Sequence, residues 1–297
     1  MLKVKKSIGS QCVDIVIYVF MLFLMVLMLY PMLNVVAVSF SDPSSIVAGK
    51  VTWFPRGWNT NGYAMILAKK EFYIYYKNTI LYAFIGTFLS LLFTSMAAYS
   101  LSLKEYAFRK FLTIFWVITM FFSGGLVPTY LVIKALNGID KFWVMVIPSC
   151  ISAYNIIVFR TFFEQQPKEL RESAVIDGAN DFIIWARIVI PLAKPLLATF
   201  ALFGIVAHWN SWFSALLYLR SSSKYPLQML LRKLVINEDL TGGYADDQIA
   251  ILVQMGALNP KNMQMAAIVV TMLPILCIYP YIQKYFTKGV MIGAIKG

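Results

Sequence analysis

The chain alternates long apolar stretches with short polar ones. Six stretches, at about 13–38, 78–103, 111–133, 142–160, 195–219 and 263–285, run with almost no charged side chain. Each has the ~18 or more residues that cross a hydrocarbon core of ~30 Å as a helix. Lipid offers the backbone no hydrogen bonds, so spans this apolar are helices. The pattern predicts an all-α polytopic membrane protein with six transmembrane helices, forming a single transmembrane domain over 1–297. Its longer polar connections are 39–76, 161–194 and 220–261.

Charge orients the spans. The chain begins MLKVKKS, and its end carries Lys284, Lys288 and Lys296 without an acid. Both termini therefore read as cytoplasmic. That choice puts 161–194 inside and 39–76 and 220–261 outside. The first apolar stretch exceeds the ~7–15 residues of a signal-peptide core, so it is expected to be a retained span. The composition is 60% hydrophobic and 13% charged, with a mean hydropathy of +0.70, whereas soluble domains average roughly 25% charged. The net charge of +12 spreads over the flanks of the spans, which fits lipid headgroups rather than nucleic acid.

Signals for bond chemistry are scarce. There is one histidine, His208, and the three cysteines Cys12, Cys150 and Cys277 lie far apart. No spacing suggests a metal site, and the cysteines are expected to act as small hydrophobes. No G-x-x-x-x-G-K-[ST] phosphate loop is present, so the chain is expected to bind no cofactor and to hydrolyse no ATP itself. The acids fall almost entirely in the polar connections, with Asp14 at the end of the first span as the exception. An ion-coupled secondary transporter, the main alternative, needs ionisable groups within its spans. A membrane-embedded enzyme needs a nucleophile, acid/base or metal constellation.

Two places near the spans stand out. FSGGLVPTY, 122–130, pairs glycines with a proline, which reads either as an ordinary helix end or as a broken segment shielded by protein or water. In the fifth span His208, Trp209, Asn210 and Trp212 combine aromatic faces with hydrogen-bonding groups, the pairing that sugar recognition uses. Aromatic residues also line membrane interfaces.

PKELRESAVIDGAND, 167–181, is the most polar stretch of the interior of the chain. Pro167 suits a first helical turn, and Gly178 is a left-handed stop. Asn180 or Asp181 can cap a second helix, which leads past Pro191 and Pro195 into the fifth span. Residues 172–195, ESAVIDGANDFIIWARIVIPLAKP, resemble the EAA loop of binding-protein-dependent ABC importer permeases. That pattern reads E-A-A, three residues, G, nine residues, I, one residue, L-P. Glu172, Ala174, Gly178, Ile188 and Pro191 match it, and Asp177 with Ala179 extend it to the D-G-A of carbohydrate permeases. Ser173 and Ile190 depart from it conservatively.

The resemblance runs the length of the chain. The six spans, the position of the loop and the ending YFTKGVMIGAIKG look like the smaller permease of maltose-type importers, with segments similar to the LplC/YtcP and alginate permease group. It implies the type I importer permease fold and ATP-driven uptake of oligosaccharide or polysaccharide across a bacterial cell membrane. The implied partners are a second related permease, two ATPase subunits that use ATP and Mg, and an extracytoplasmic solute-binding protein. It also implies that Glu172, Ser173, Ala174, Asp177, Gly178, Ala179, Ile188 and Pro191 belong to a coupling helix seated on the ATPase. Lys296 and Gly297 are implied as a second ATPase contact. The loop 220–261 corresponds to the one that probes the receptor, making Tyr244, Asp246 and Asp247 candidate receptor contacts.

Overall fold

Each apolar stretch forms helix, although only some form one straight helix. The computed structural model describes residues 8–236, 251 and 255–294. In chain order its helices are α1 (Ile8–Ser39), α2 (Pro43–Val47), α3 (Asn61–Ala68), α4 (Lys70–Ser102), α5 (Arg109–Phe121) and α6 (Leu126–Ala135). Then come α7 (Ala153–Glu164), α8 (Lys168–Ile176), α9 (Asp181–Leu192) and α10 (Lys194–Trp209). The last are α11 (Phe213–Tyr218), α12 (Leu227–Ile236) and α13 (Pro260–Ala294). Among the described residues there is no β-strand, only an isolated bridge between Ser41 and Trp58.

Helices α1, α4 and α13 are each long and apolar enough to cross a membrane, and three bent pairs complete a set of up to six spans. α5 and α6 meet at 117°. The break falls where the sequence pairs Gly124 with Gly125, and Gly125 adopts φ +83°, a conformation that L-residues rarely hold. The run 111–133 is therefore two helices rather than one. The fourth run begins as short 3₁₀ turns before α7, at a 48° bend. The fifth ends its regular helix at Trp209 and resumes at Phe213, so 195–219 is also discontinuous.

The chain divides into two compact units. One joins residues before Lys70 to Lys233–Met272. Asn262 is its buried hub, donating from its amide nitrogen to the carbonyls of Val38, Ser39 and Ser41 at 3.0, 2.9 and 3.2 Å. Gly62 lies directly against Asn262, with no room for a Cβ. The side chains of α1 remain largely exposed along its apolar length, as expected of a surface that lipid or another membrane protein covers.

The other unit is Lys70–Arg232 with the residues from Leu273 onward. α4 is its axis and packs against α7 and α10. Its buried side chains form two clusters. One centres on Tyr82, Val146, Cys150 and Tyr218, the other on Tyr99, Ile156, Phe159 and Trp185. Polar networks gather near Asn78 and near Tyr99. These positions lie roughly 30 Å apart along α4 at 1.5 Å per residue, which is the thickness of a hydrocarbon core.

Candidate functional site

The polar interior stretch folds as a helix, a glycine turn and a second helix. Pro167 sits one residue before α8 and caps it with extended ψ, 125°, rather than occupying its first turn. At the far end Gly178 takes φ +81°. Its N–H donates to the Val175 carbonyl at 3.0 Å, and that of Ala179 to the Ala174 carbonyl at 2.9 Å. These two bonds are the paired closure of a Schellman motif. Asn180 then caps α9, its side-chain oxygen accepting from the Ile183 N–H at 2.9 Å. One turn of α9, Trp185–Val189, is π-helical, and α9 meets α10 at 82°.

The residues of this unit separate into a seat and an outer face. Ala174, Ala179 and Ile188 are partly buried against the cluster of Tyr99, Phe159 and Trp185. Small side chains at 174 and 179 let α8 lie close to that core. Glu172, Ser173, Asp177, Gly178 and Pro191 face outward. So do Val175 and Ile176, at 51% and 86% exposure, an apolar pair on an otherwise charged helix.

A polar frame, not foreseen in the sequence, holds the unit in place. The Tyr99 hydroxyl donates to Asp181 at 3.1 Å, and Arg171 lies 3.7 Å from Asp181 and 3.5 Å from Glu105. Beside it Glu164 accepts from Arg109 and, at 2.8 Å, from Arg160. Burial pushes the Glu164 carboxyl up, but hydrogen bonds from Arg160 and Arg109 outweigh it and hold the group below the usual carboxylate range. Arg160 also donates to the Thr113 hydroxyl at 2.9 Å. These groups tie the ends of α4, α5 and α7 to α8. Between them lies a cavity of about 480 Å³ lined by Tyr99, Lys104, Arg109, Glu164 and Arg171, among others. The Arg160–Glu164 spacing of four is a helical signal visible in sequence. The pairing of Arg109 with Glu164 joins positions 55 apart and leaves no local mark.

At the Asn78 end, Asp140 clasps the segment that follows α11. Its carboxylate accepts from the backbone N–H of Arg220 and Ser221 at 3.0 and 2.9 Å, from the Ser221 hydroxyl at 2.6 Å and from Lys224 at 2.7 Å. Lys224, then the Ser221 hydroxyl, then the backbone donors hold the carboxyl well below its ordinary range. Asn78 donates to the Ser223 carbonyl at 2.8 Å and Tyr82 to the Lys224 carbonyl at 2.9 Å. The Asn137-Gly138 dipeptide was the available turn signal; Asn137 and Asp140 both hold positive φ.

The fifth-span candidates divide into two pairs. His208 and Trp209 are buried. His208 lies over Gly86, where any Cβ would strike the imidazole, and its Nε2 is 3.5 Å from the Ser149 hydroxyl. Trp209 meets Tyr76 edge-on at 5.9 Å. Asn210 and Trp212 lie at the break after α10: Asn210 accepts from Gln228 at 3.2 Å, and the Arg232 guanidinium stands 5.1 Å from the Trp212 ring. Tyr244, Asp246, Asp247, Lys296 and Gly297 lie outside the described residues.

No family model matches the chain. Individual relatives do. A Bacillus subtilis polygalacturonan/rhamnogalacturonan transport system permease protein, YtcP, is 38% identical over 97% of this chain and 99% of its own length. The chain belongs to the permease subunits of ABC carbohydrate importers. A second relative of the permease, Protein LplC of the same organism, is 38% identical over 90% of this chain and 89% of its own. The crystal structure of a bacterial ABC transporter that imports the acidic polysaccharide alginate contains a chain with a TM-score of 0.89 to the permease. The two are 31% identical, and the match covers 96% of this chain and 100% of the other. The chain is thus an integral membrane transport subunit rather than an enzyme, and its all-helical fold is that of an importer permease.

Proposed function

We propose that the permease forms half of the translocation pathway of an ATP-driven importer for oligosaccharides or polysaccharides, pairing with a second, related permease. ATP and Mg are used by two ATPase subunits, and an extracytoplasmic binding protein delivers the cargo. Both termini are cytoplasmic, which places α8 and α9 inside and the Asp140 clasp outside.

The observation that carries this reading is the construction of α8. A nine-residue helix, too short to be stable alone, is fixed from behind by Ala174, Ala179 and the Arg171–Asp181–Tyr99 frame. It presents Val175 and Ile176 outward beside Glu172 and Asp177. Exposed apolar side chains on a rigid polar helix suit insertion into a protein cleft, because burial of each contributes about 1.5–3 kcal/mol. A rigid seat is also what force transmission needs: displacement of α8 carries α9 with it, and α9 runs directly into α10. Lys296 and Gly297 serve as a second contact on the same partner, and Tyr244, Asp246 and Asp247 meet the binding protein.

The test is reconstitution with the partner subunits. Gly178→Val, a β-branched residue that this positive φ disfavours most, should leave membrane insertion intact and sharply reduce uptake; normal uptake by that variant would refute the coupling role of the turn.

A further inference from the structure

The end of the α4 unit that carries the Asp140 clasp holds an unbalanced charge. Segments 70–81, 130–147 and 210–232 carry seven Lys and Arg against two acids, Glu71 and Asp140. Outer flanks of spans ordinarily carry the fewer bases, so this excess does not come from the rule that orients spans. Asp140 is already spent, accepting from Lys224, from the Ser221 hydroxyl and from the N–H groups of Arg220 and Ser221. Lys77, Lys134, Lys141 and Arg220 are exposed, and none of them has an acidic partner among the described residues.

The clasp gathers these bases on one platform. Arg220 gives its backbone N–H to Asp140, and Lys141 follows Asp140 directly. The turn from Lys134 to Lys141 is closed by three backbone bonds. The Asn137 N–H donates to the Lys134 carbonyl at 3.0 Å, that of Gly138 to Ile133 at 2.9 Å, and that of Lys141 to Gly138 at 3.1 Å. Lys77 precedes Asn78, whose amide nitrogen donates to the carbonyls of Ser223 and Tyr225 at 2.8 and 3.1 Å. Each base therefore rises from backbone tied into, or next to, the same network.

Such a platform suits an acidic surface that arrives from the aqueous phase. Unbalanced like charges gain most when opposite charges meet them, and backbone fixed beforehand loses little freedom on binding. Four exposed bases also extend their field over a Debye length of roughly 8 Å, which steers an oppositely charged face on approach. A fluid layer of lipid headgroups needs no preset spacing of bases, whereas the clasp presets it. We propose that Lys77, Lys134, Lys141 and Arg220 form an electrostatic docking surface for the extracytoplasmic binding protein, whose matching face is acidic. The inference rests on the import reading above, which puts this end of the unit outside.

The test uses the permease pair with its ATPase in nanodiscs of phosphatidylcholine, which carries no net charge. Labelled binding protein, loaded with whichever fragment of polygalacturonan, alginate or maltodextrin it takes up, is titrated onto the complex. Wild-type binding should weaken steeply between about 0.1 and 1 M salt, as the Debye length falls from roughly 10 to 3 Å. The combined variant Lys77→Gln, Lys134→Gln, Lys141→Gln, Arg220→Gln should bind about tenfold more weakly at the lower salt, the joint effect of several exposed pairs, and should respond less to salt. Its ATPase rate at saturating binding protein should match wild type. The charge-keeping variant Lys77→Arg, Lys134→Arg, Lys141→Arg, Arg220→Lys should bind as wild type does. Unchanged affinity and salt response in the glutamine variant would overturn the docking surface while leaving import standing. So would a loss of affinity confined to discs containing phosphatidylglycerol, which assigns the bases to lipid. Direct binding of the free fragment by the wild-type complex, lost in the glutamine variant, would assign them to cargo and overturn it too. Binding protein that neither binds the wild-type complex nor stimulates its ATPase would overturn both readings.

Discussion

Replacing Gly178 tests the proposed coupling role of the α8–α9 unit at its narrowest point. The residue holds φ +81°, and a Cβ built on it meets nothing within 4 Å. The whole cost of a side chain is therefore backbone strain rather than collision. For an ordinary L-residue in this region that cost is about 1–2 kcal/mol. Asparagine tolerates the conformation better, and a β-branched residue is a true outlier there. The strain lowers the population of the native turn by roughly five- to thirtyfold against its alternatives. Because both Schellman bonds depend on this turn, its loss frees α8 from the fixed angle at which it meets α9. The assay is ATPase activity of the reconstituted importer, stimulated by cargo-loaded binding protein. Stimulation should fall in the order Gly178→Asn, Gly178→Ala, Gly178→Val. Thermal unfolding should shift by only a few degrees, since the cost is confined to about 1–2 kcal/mol of strain and no packing is lost. Full stimulation in Gly178→Val would refute the argument that turn geometry carries the coupling.

Ile176→Ser removes the most exposed apolar side chain of α8 and should weaken ATPase binding to the permease pair about tenfold, for a loss of about 1.5 kcal/mol, read by titrating ATPase onto the pair. Gly86→Ala forces a methyl into the His208 ring and should cost about 1–3 kcal/mol by overpacking, seen as a lower melting temperature. Asp140→Ala should release the segment after α11 and raise its hydrogen exchange. In wild type the clasp should not respond to pH between about 5 and 8. A carboxyl whose folded-state pKa is depressed stabilises fully above its unfolded value and loses that contribution only as pH falls through the folded one. Exchange in that segment that rises between pH 8 and 5 would contradict this assignment.

Much of the architecture was legible because membranes impose simple rules. The apolar runs mark the spans, and Gly178 and Asn180 punctuate the α8–α9 unit in the roles that their conformational preferences dictate. The glycine pair at 124–125 pointed to a broken segment, but not to the 117° fold-back, which depends on packing rather than on local preference. The fifth run read as continuous through 219, because the break at 210–212 carries no glycine or proline to announce it. The frame around α8 was hidden for another reason: Tyr99, Arg109 and Glu164 lie on α4, α5 and α7 and become neighbours only after those three helices assemble.

The most direct measurement of the account is ATP-dependent uptake by the permease reconstituted with its partner permease, ATPase and binding protein. Uptake should require ATP and all four components, and cargo-loaded binding protein should raise ATP hydrolysis by the complex. Uptake driven by a proton or sodium gradient through this chain without the ATPase would contradict it.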